Sequence, residues 1–187
     1  NDTNKFIINI TGNCVFSNKN NYFNEHVEQL TVNANNIIFE SESIQRTKMK
    51  KFIINAINSI FVGIGAICDC QIKEFFLNSG NQIEISPLTF SNFVYETKSI
   101  TIISNNIESG SFVKINTILT NISAKKRILI GQEIFSECSS STIYINSDES
   151  DVLIDSNTFA LSSFNYIKVS AKGDVVFGQD EFTLIQS

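Results

Sequence analysis

Residues 52–90, FIINAINSIFVGIGAICDCQIKEFFLNSGNQIEISPLTF, carry one pattern written twice. Phe52 and Ile54 flank a single residue, Ile60 and Val62 flank another, and Ile67 follows five positions later. Twenty-three residues on, Phe75/Leu77, Ile83/Ile85 and Phe90 repeat the arrangement. Working outward, the second pair recurs as Cys14/Phe16, Ile37/Phe39, Ile60/Val62, Ile83/Ile85, Ile107/Ser109, Ile128/Ile130, Val152/Ile154 and Val175/Phe177, at spacings of 23, 23, 23, 24, 21, 24 and 23. The first pair recurs as Phe6/Ile8, Leu30/Val32, Phe52/Ile54, Phe75/Leu77, Ile100/Ile102, Ile118/Thr120, Ile143/Ile145 and Ile167/Val169. A large apolar plug closes the units at Ile44, Ile67, Phe90, Phe135, Phe159 and Phe182, with Val113 one residue early and Tyr22 as the equivalent at the start. Short alternation of this kind is a strand signal. No such strand buries its apolar side alone, but stacking each unit on the next does. The sequence therefore predicts one all-β or β-rich solenoid domain over residues 1–187, with about eight rungs of roughly 23 residues and an axial length of roughly 38 Å at about 4.8 Å per rung.

Two polar columns share the frame. After the first strand come Asn9, Asn33, Asn55, Asn78, Ile103, Asn121, Asn146 and Ser170, placed where stacked amides can bond to one another. After the second come Ser17, Glu40, Gly63, Ser86, Gly110, Gly131, Asp155 and Gly178, which hold half of the chain's eight glycines and predict a turn of positive φ. Composition agrees. Ile (30), Asn (23), Ser (23) and Phe (16) make up 92 of the 187 residues, while Leu and Ala together number 14, so helical bundles are disfavoured. Gly plus Pro is 9 of 187, below the usual share of about 12%, which disfavours turn-rich sandwiches and barrels.

The run Ile128-Leu-Ile-Gly-Gln-Glu-Ile-Phe135-Ser-Glu-Cys138-Ser-Ser-Ser-Thr-Ile143-Tyr-Ile145 resembles the repeat of BspA-like leucine-rich-repeat proteins, and residues 61–77 and 176–182 echo it. Val27/Leu30/Val32, Met49/Phe52/Ile54, Ile72/Phe75/Leu77 and Phe164/Ile167/Val169 supply the family's strand signature. The sequence departs from it where Asn replaces the usual Pro and where the Cys recurs only at Cys70 and Cys138. A right-handed parallel β-helix shares the short strands, the Asn ladders and the period, and stays open beside it. The family resemblance implies a non-enzymatic adhesion or protein-binding module, extracellular or on a cell surface, whose partner is a protein or glycan. The other readings are a β-helix passenger or carbohydrate-processing domain and an intracellular repeat scaffold.

The chemistry on offer is sparse. The net charge of −5 and the scattered 14 basic residues argue against nucleic-acid binding, and no apolar run reaches the roughly 20 residues of a membrane span. His26, the one histidine, reads as a loop residue. Asp148, Glu149, Asp151 and Asp155 form an acidic cluster near Asp174, without calcium-loop spacing, so they read as solvated turns. Cys14, Cys68, Cys70 and Cys138 read as buried thiols, because Cys70 and Cys138 stand three rungs apart, near 14 Å, beyond disulfide reach. No metal, cofactor or catalytic residue is expected. The sequons at Asn1, Asn9 and Asn121 are expected by chance in a chain this rich in Asn and Ser. The chain opens on Asn1 without a signal-peptide pattern and reads as a piece of a longer protein, with end-to-end or edge association expected of its uncapped strands.

The candidate site is the outward residue of each first pair: Ile7, Thr31, Ile53, Phe76, Thr101, Leu119, Tyr144 and Lys168. The second strand contributes Val15, Ile38, Phe61, Glu84, Glu108, Leu129, Leu153 and Val176. Both columns are more apolar than a solvated sheet face. Ile53, Phe76, Leu119 and Tyr144 are the predicted partner-binding residues, as aromatic and aliphatic anchors among polar neighbours.

Overall fold

A computed structural model describes residues 4–17, 26–91, 97–109, 112–113, 115–131, 134–135 and 137–179. Every element among them is a β-strand, and every strand pair is parallel. The chain is a parallel β-solenoid with three strand columns. The first column stacks Lys5–Asn9, the first parts of His26–Phe39 and Lys48–Val62, then Gln71–Ser79, Thr97–Ser104, Asn116–Ala124, Ser139–Ser147 and Ser163–Ala171. The second stacks Asn13–Phe16, the later parts of the same two long strands, then Gln82–Ile85, Asn106–Ser109, Ile128–Ile130, Val152–Ile154 and Val175–Phe177. Because the two long strands run through the bend, both columns join in one 14-stranded sheet. A separate four-stranded sheet of two-residue strands, Ile44–Gln45, Ile67–Cys68, Phe90–Ser91 and Phe112–Val113, forms the third face.

Six turns are closed by a described third segment, at Ile44, Ile67, Phe90, Phe112, Phe135 and Phe159. The expected count of about eight includes a first and a last rung that contribute only their first two strands among the described residues. The third-face register also corrects the plug of the fifth unit, where Phe112 and not Val113 pairs with Phe90. The plugs at Tyr22 and Phe182 lie outside the described residues.

The corners explain how a chain so poor in glycine turns. Glu42, Gly65, Leu88 and Asn157 have φ of 57°, 60°, 56° and 58° and precede the third segment; Arg46, Asp69, Glu137 and Leu161, at 52°, 52°, 55° and 55°, follow it. Among the described residues, two left-handed residues bracket the third segment at Ile44–Gln45, at Ile67–Cys68 and at Phe159, and one flanks it at Phe90 and at Phe135; seven of these eight are not glycine. Of the glycine column predicted to supply positive φ, the described members Gly63, Gly131 and Gly178 do not have it, and Gly63 and Gly178 answer to close packing instead. Their backbone N–H groups continue the ladder, as in Gly63 N to Phe39 O at 2.8 Å and Gly178 N to Ile154 O at 2.8 Å. A Cβ at Gly63 would stand 2.9 Å from Phe39 O, and one at Gly178 would stand 2.7 Å from Ser156 N. Close stacking of successive corners, not backbone twist, favours glycine there.

Buried hydroxyls and thiols secure the corners from inside. Thr89 donates to Ser86 O (2.7 Å) and Gly63 O (2.8 Å), and Thr158 donates to Asp155 O (2.7 Å) and Gly131 O (3.0 Å). Just past the third segment, Thr47 donates to Gln45 O (3.1 Å), Cys70 to Cys68 O (3.2 Å) and Ser162 to Ala160 O (3.1 Å). Cys70 and Cys138 share this column with Thr47 and Ser162, and at Thr47, Cys70 and Ser162 a small donor adds a bond to a corner carbonyl, two of which, Cys68 O and Ala160 O, also accept the backbone N–H of Arg46 and Glu137. All four cysteines are free thiols. Burial pushes the Cys70 thiol up to about 12.

Candidate contact face

Strand alternation sends Leu30, Val32, Phe52, Ile54, Phe75 and Leu77 inward, at 0–1% exposure, so the residues between them face out. Register then fixes the outward columns. One contains Ile7, Thr31, Ile53, Phe76, Thr101, Asn121, Tyr144 and Lys168. Ile53 and Phe76 are half-buried neighbours, and Tyr144 is 40% exposed. Leu119, expected between Thr101 and Tyr144, stands two residues away, paired with Ser99 and Thr142 in the adjacent column. The expected inward pair Ile118/Thr120 is in fact Thr120/Ile122, and Ile118 is 44% exposed. An inward hydroxyl causes the displacement: Thr120 lies 3.1 Å from the Thr117 hydroxyl, which also donates to Ser140 at 2.8 Å. The second-strand column stands in the register the sequence predicts, from Val15 through Ile38, Phe61, Glu84, Glu108, Leu129 and Leu153 to Val176.

The column beside Leu119 runs Lys5, Gln29, Lys51, Glu74, Ser99, Leu119, Thr142 and Tyr166. Lys51 lies 2.9 Å from the Glu74 carboxylate and Lys98 lies 3.7 Å from it. The hydrogen bond from Lys51, with the charges of both lysines, holds Glu74 below the usual carboxylate range against its slight desolvation. Farther along, the face changes character. Tyr144 and Tyr166 meet edge-on, centroids 5.9 Å apart, among Thr142, Asn121, Lys168 and Asn146.

An amide ladder borders the face. Asn33 Nδ2 donates to Asn9 Oδ1 at 2.7 Å, Asn55 Nδ2 to Asn33 Oδ1 at 2.8 Å, and Ser170 Oγ to Asn146 Oδ1 at 2.7 Å. Asn121 does not belong to this column; Ser123 pairs with Ile103 and Asn146 in its place. A second ladder, not anticipated from the sequence, starts the second strand, with Asn36 Nδ2 donating to Asn13 Oδ1 and Ser59 Oγ to Asn36 Oδ1, both at 2.8 Å. Its signal was present as Asn13, Asn36 and Ser59 spaced by 23 residues.

The remaining chemical candidates are used locally. His26 starts a strand rather than lying in a loop. Asp151 Oδ1 accepts the Asp174 backbone N–H at 2.9 Å, Asp148 accepts from Asn146 at 2.6 Å, Asp155 accepts the Ser156 N–H at 2.7 Å, and Glu149 lies 3.7 Å from Lys125. Among the described residues no three His, Cys, Asp or Glu side chains converge on a common point, and no helix is long and apolar enough to cross a membrane. No family model matches the chain, and no curated protein or solved structure is significantly similar to it.

Proposed function

We propose that this chain is a non-enzymatic contact module that presents the outward face of its first strand column to a protein or glycan outside the cell or on its surface. The observation that carries the reading is the row of apolar and aromatic residues held facing outward by the parallel register: Ile53 beside Phe76, and Tyr144 against Tyr166, with Leu119 in the adjoining column. Rigid aromatic anchors amid polar neighbours are what a macromolecular contact uses. Three strand columns joined through left-handed corners support a parallel β-helix over the single-sheet horseshoe of a leucine-rich repeat, and a β-helix passenger domain is the second reading. The test is a binding screen of the folded chain against extracellular-matrix proteins and glycans. It is repeated with Phe76→Ala and Tyr144→Ala, alone and combined. Binding that falls at least about tenfold in the double variant, with the urea midpoint little moved, supports the face. Binding indifferent to both substitutions, or no ligand at all, sinks it.

A further inference from the structure

We propose that the outward face of the second strand column is a docking surface for a cationic amphipathic helix, separate from the first-column face. Its centre line runs Ile38, Phe61, Glu84, Glu108, Leu129 and Leu153, one residue per rung in unbroken parallel register. Phe61 is 37% exposed, and Ile38, Leu129 and Leu153 are half-buried. Glu84 and Glu108, both exposed, pair directly with each other in the middle of this apolar stripe. Like charges set opposite one another, on strands about 4.8 Å apart, destabilise a sheet. Among the described residues neither carboxylate has an ion-pair partner. The free chain therefore carries a repulsion that a partner's positive charge would remove.

The surroundings select the occupant. The positions flanking the stripe add Glu40, Asp151 and Asp155 against one base, Arg127, so the field over this face is negative and attracts a cation. Gly63 and Gly131, two residues beyond Phe61 and Leu129, keep one side of the stripe low and let a partner's backbone approach. Spacing favours a helix laid along the stack. The residues on one side of a helix recur about every 3.5 positions, or roughly 5.3 Å, near the roughly 4.8 Å between rungs. An extended segment would repeat at roughly 6.7 Å and fall out of step within a few rungs. Six rungs span about 24 Å, which about 16 helical residues cover. A second copy of this chain fits poorly, because a two-fold axis through the centre of the stripe would set Glu84 against Glu108 of the other copy. The fitting partner is a helix whose aliphatic stripe is interrupted near its middle by lysine or arginine.

The test uses a fluorescent, helix-stabilised peptide of about 18 residues, with leucines along one side and two lysines at the centre of that side. It is titrated with the folded 187-residue chain and read by anisotropy. Binding is expected, and a peptide with glutamates in place of the two lysines should bind at least about tenfold more weakly. Glu84→Gln combined with Glu108→Gln should raise the urea midpoint of the free chain while erasing that preference. Glu84→Lys combined with Glu108→Lys should reverse it, and Phe61→Ser should weaken binding of both peptides. Phe76→Ala, on the first face, should leave peptide binding unchanged, which keeps this surface distinguishable from that one. Circular dichroism matching the wild type shows which variants are folded. Equal binding of the lysine and glutamate peptides overturns the proposal, and so does no binding at all. A wild type that sediments as a dimer and turns monomeric with Phe61→Ser gives the face to a second copy and overturns it too.

Discussion

At Cys70 the sequence offers a thiol where the same column elsewhere holds the hydroxyls of Thr47 and Ser162. The side chain is fully buried, its Sγ donates to Cys68 O at 3.2 Å, and burial raises its pKa from 9.0 to about 12. The sign follows from linkage. The unfolded chain releases this proton near pH 9 and the folded chain retains it until about 12, so stability is fully present below pH 9 and falls as pH rises between the two values. The slope is about 1.4 kcal/mol per pH unit at its steepest. Cys14 and Cys68 shift the same way, Cys14 through burial and Cys68 through burial with Asp69 and Glu42 beside it, so the residue must be isolated by difference. Cys70→Thr, which keeps a donor for the corner carbonyl, should lose clearly less stability than wild type between pH 8.5 and 10 in urea titrations. Equal losses in the two proteins would mean that Cys70 is not held neutral by its surroundings.

The corner is the element on which this fold turns, and it was the least legible part of the sequence. Strands announce themselves because alternation puts Phe52/Ile54 and Phe75/Leu77 on one side and leaves Ile53 and Phe76 facing out. The register of Ile53, Phe76 and Tyr144 could thus be read directly. The misplacement of Leu119 followed from the same rule, since a search for apolar inward pairs passes over a buried threonine satisfied by its neighbours. Corners give no such signal when residues other than glycine hold the left-handed positions. Leu88 is the clearest case, with φ of 56° at 52% exposure, in the place that Gly65 takes one turn earlier. A left-handed conformation costs an L-residue about 1–2 kcal/mol, and glycine gives back part of the relief as unfolded-chain entropy. Leu88→Gly is therefore expected to raise unfolding stability by about 0.5–1 kcal/mol. The same substitution at Leu129, inside a strand, should lower it. If both variants lose stability alike by chemical denaturation, the corner at Leu88 stores no strain.

Over the whole stack, the interior is not uniform along its axis. An aromatic file runs through Phe16, Phe39, Phe52, Phe75 and Phe90, with successive centroids 4.6, 5.9, 5.4 and 5.0 Å apart. A second file, Phe135, Phe159 and Phe164, follows at 5.5 and 5.7 Å. Between them the buried positions include Thr97, Ser104, Ser109, Thr117, Thr120 and Ser140. Thr117 and Ser140 bond to each other, but the hydroxyls of Thr97, Ser104 and Ser109 find no hydrogen-bond partner among the described residues. Each such group costs about 1–3 kcal/mol of desolvation. In a solenoid each rung leans only on its neighbours, so this cost stays local and is not shared by a central core. The strands Thr97–Ser104 and Asn116–Ala124 should therefore form a seam that opens before the aromatic blocks on either side. Thr97→Val keeps the shape and removes one unpartnered hydroxyl, and should close the seam by about 1–2 kcal/mol. Native-state hydrogen exchange reads this strand by strand. The expected result is slower exchange in those two strands with little change across Lys48–Val62. Uniform protection along the wild-type stack, or a Thr97→Val effect spread evenly over all rungs, would show that the polar interior does not divide the solenoid.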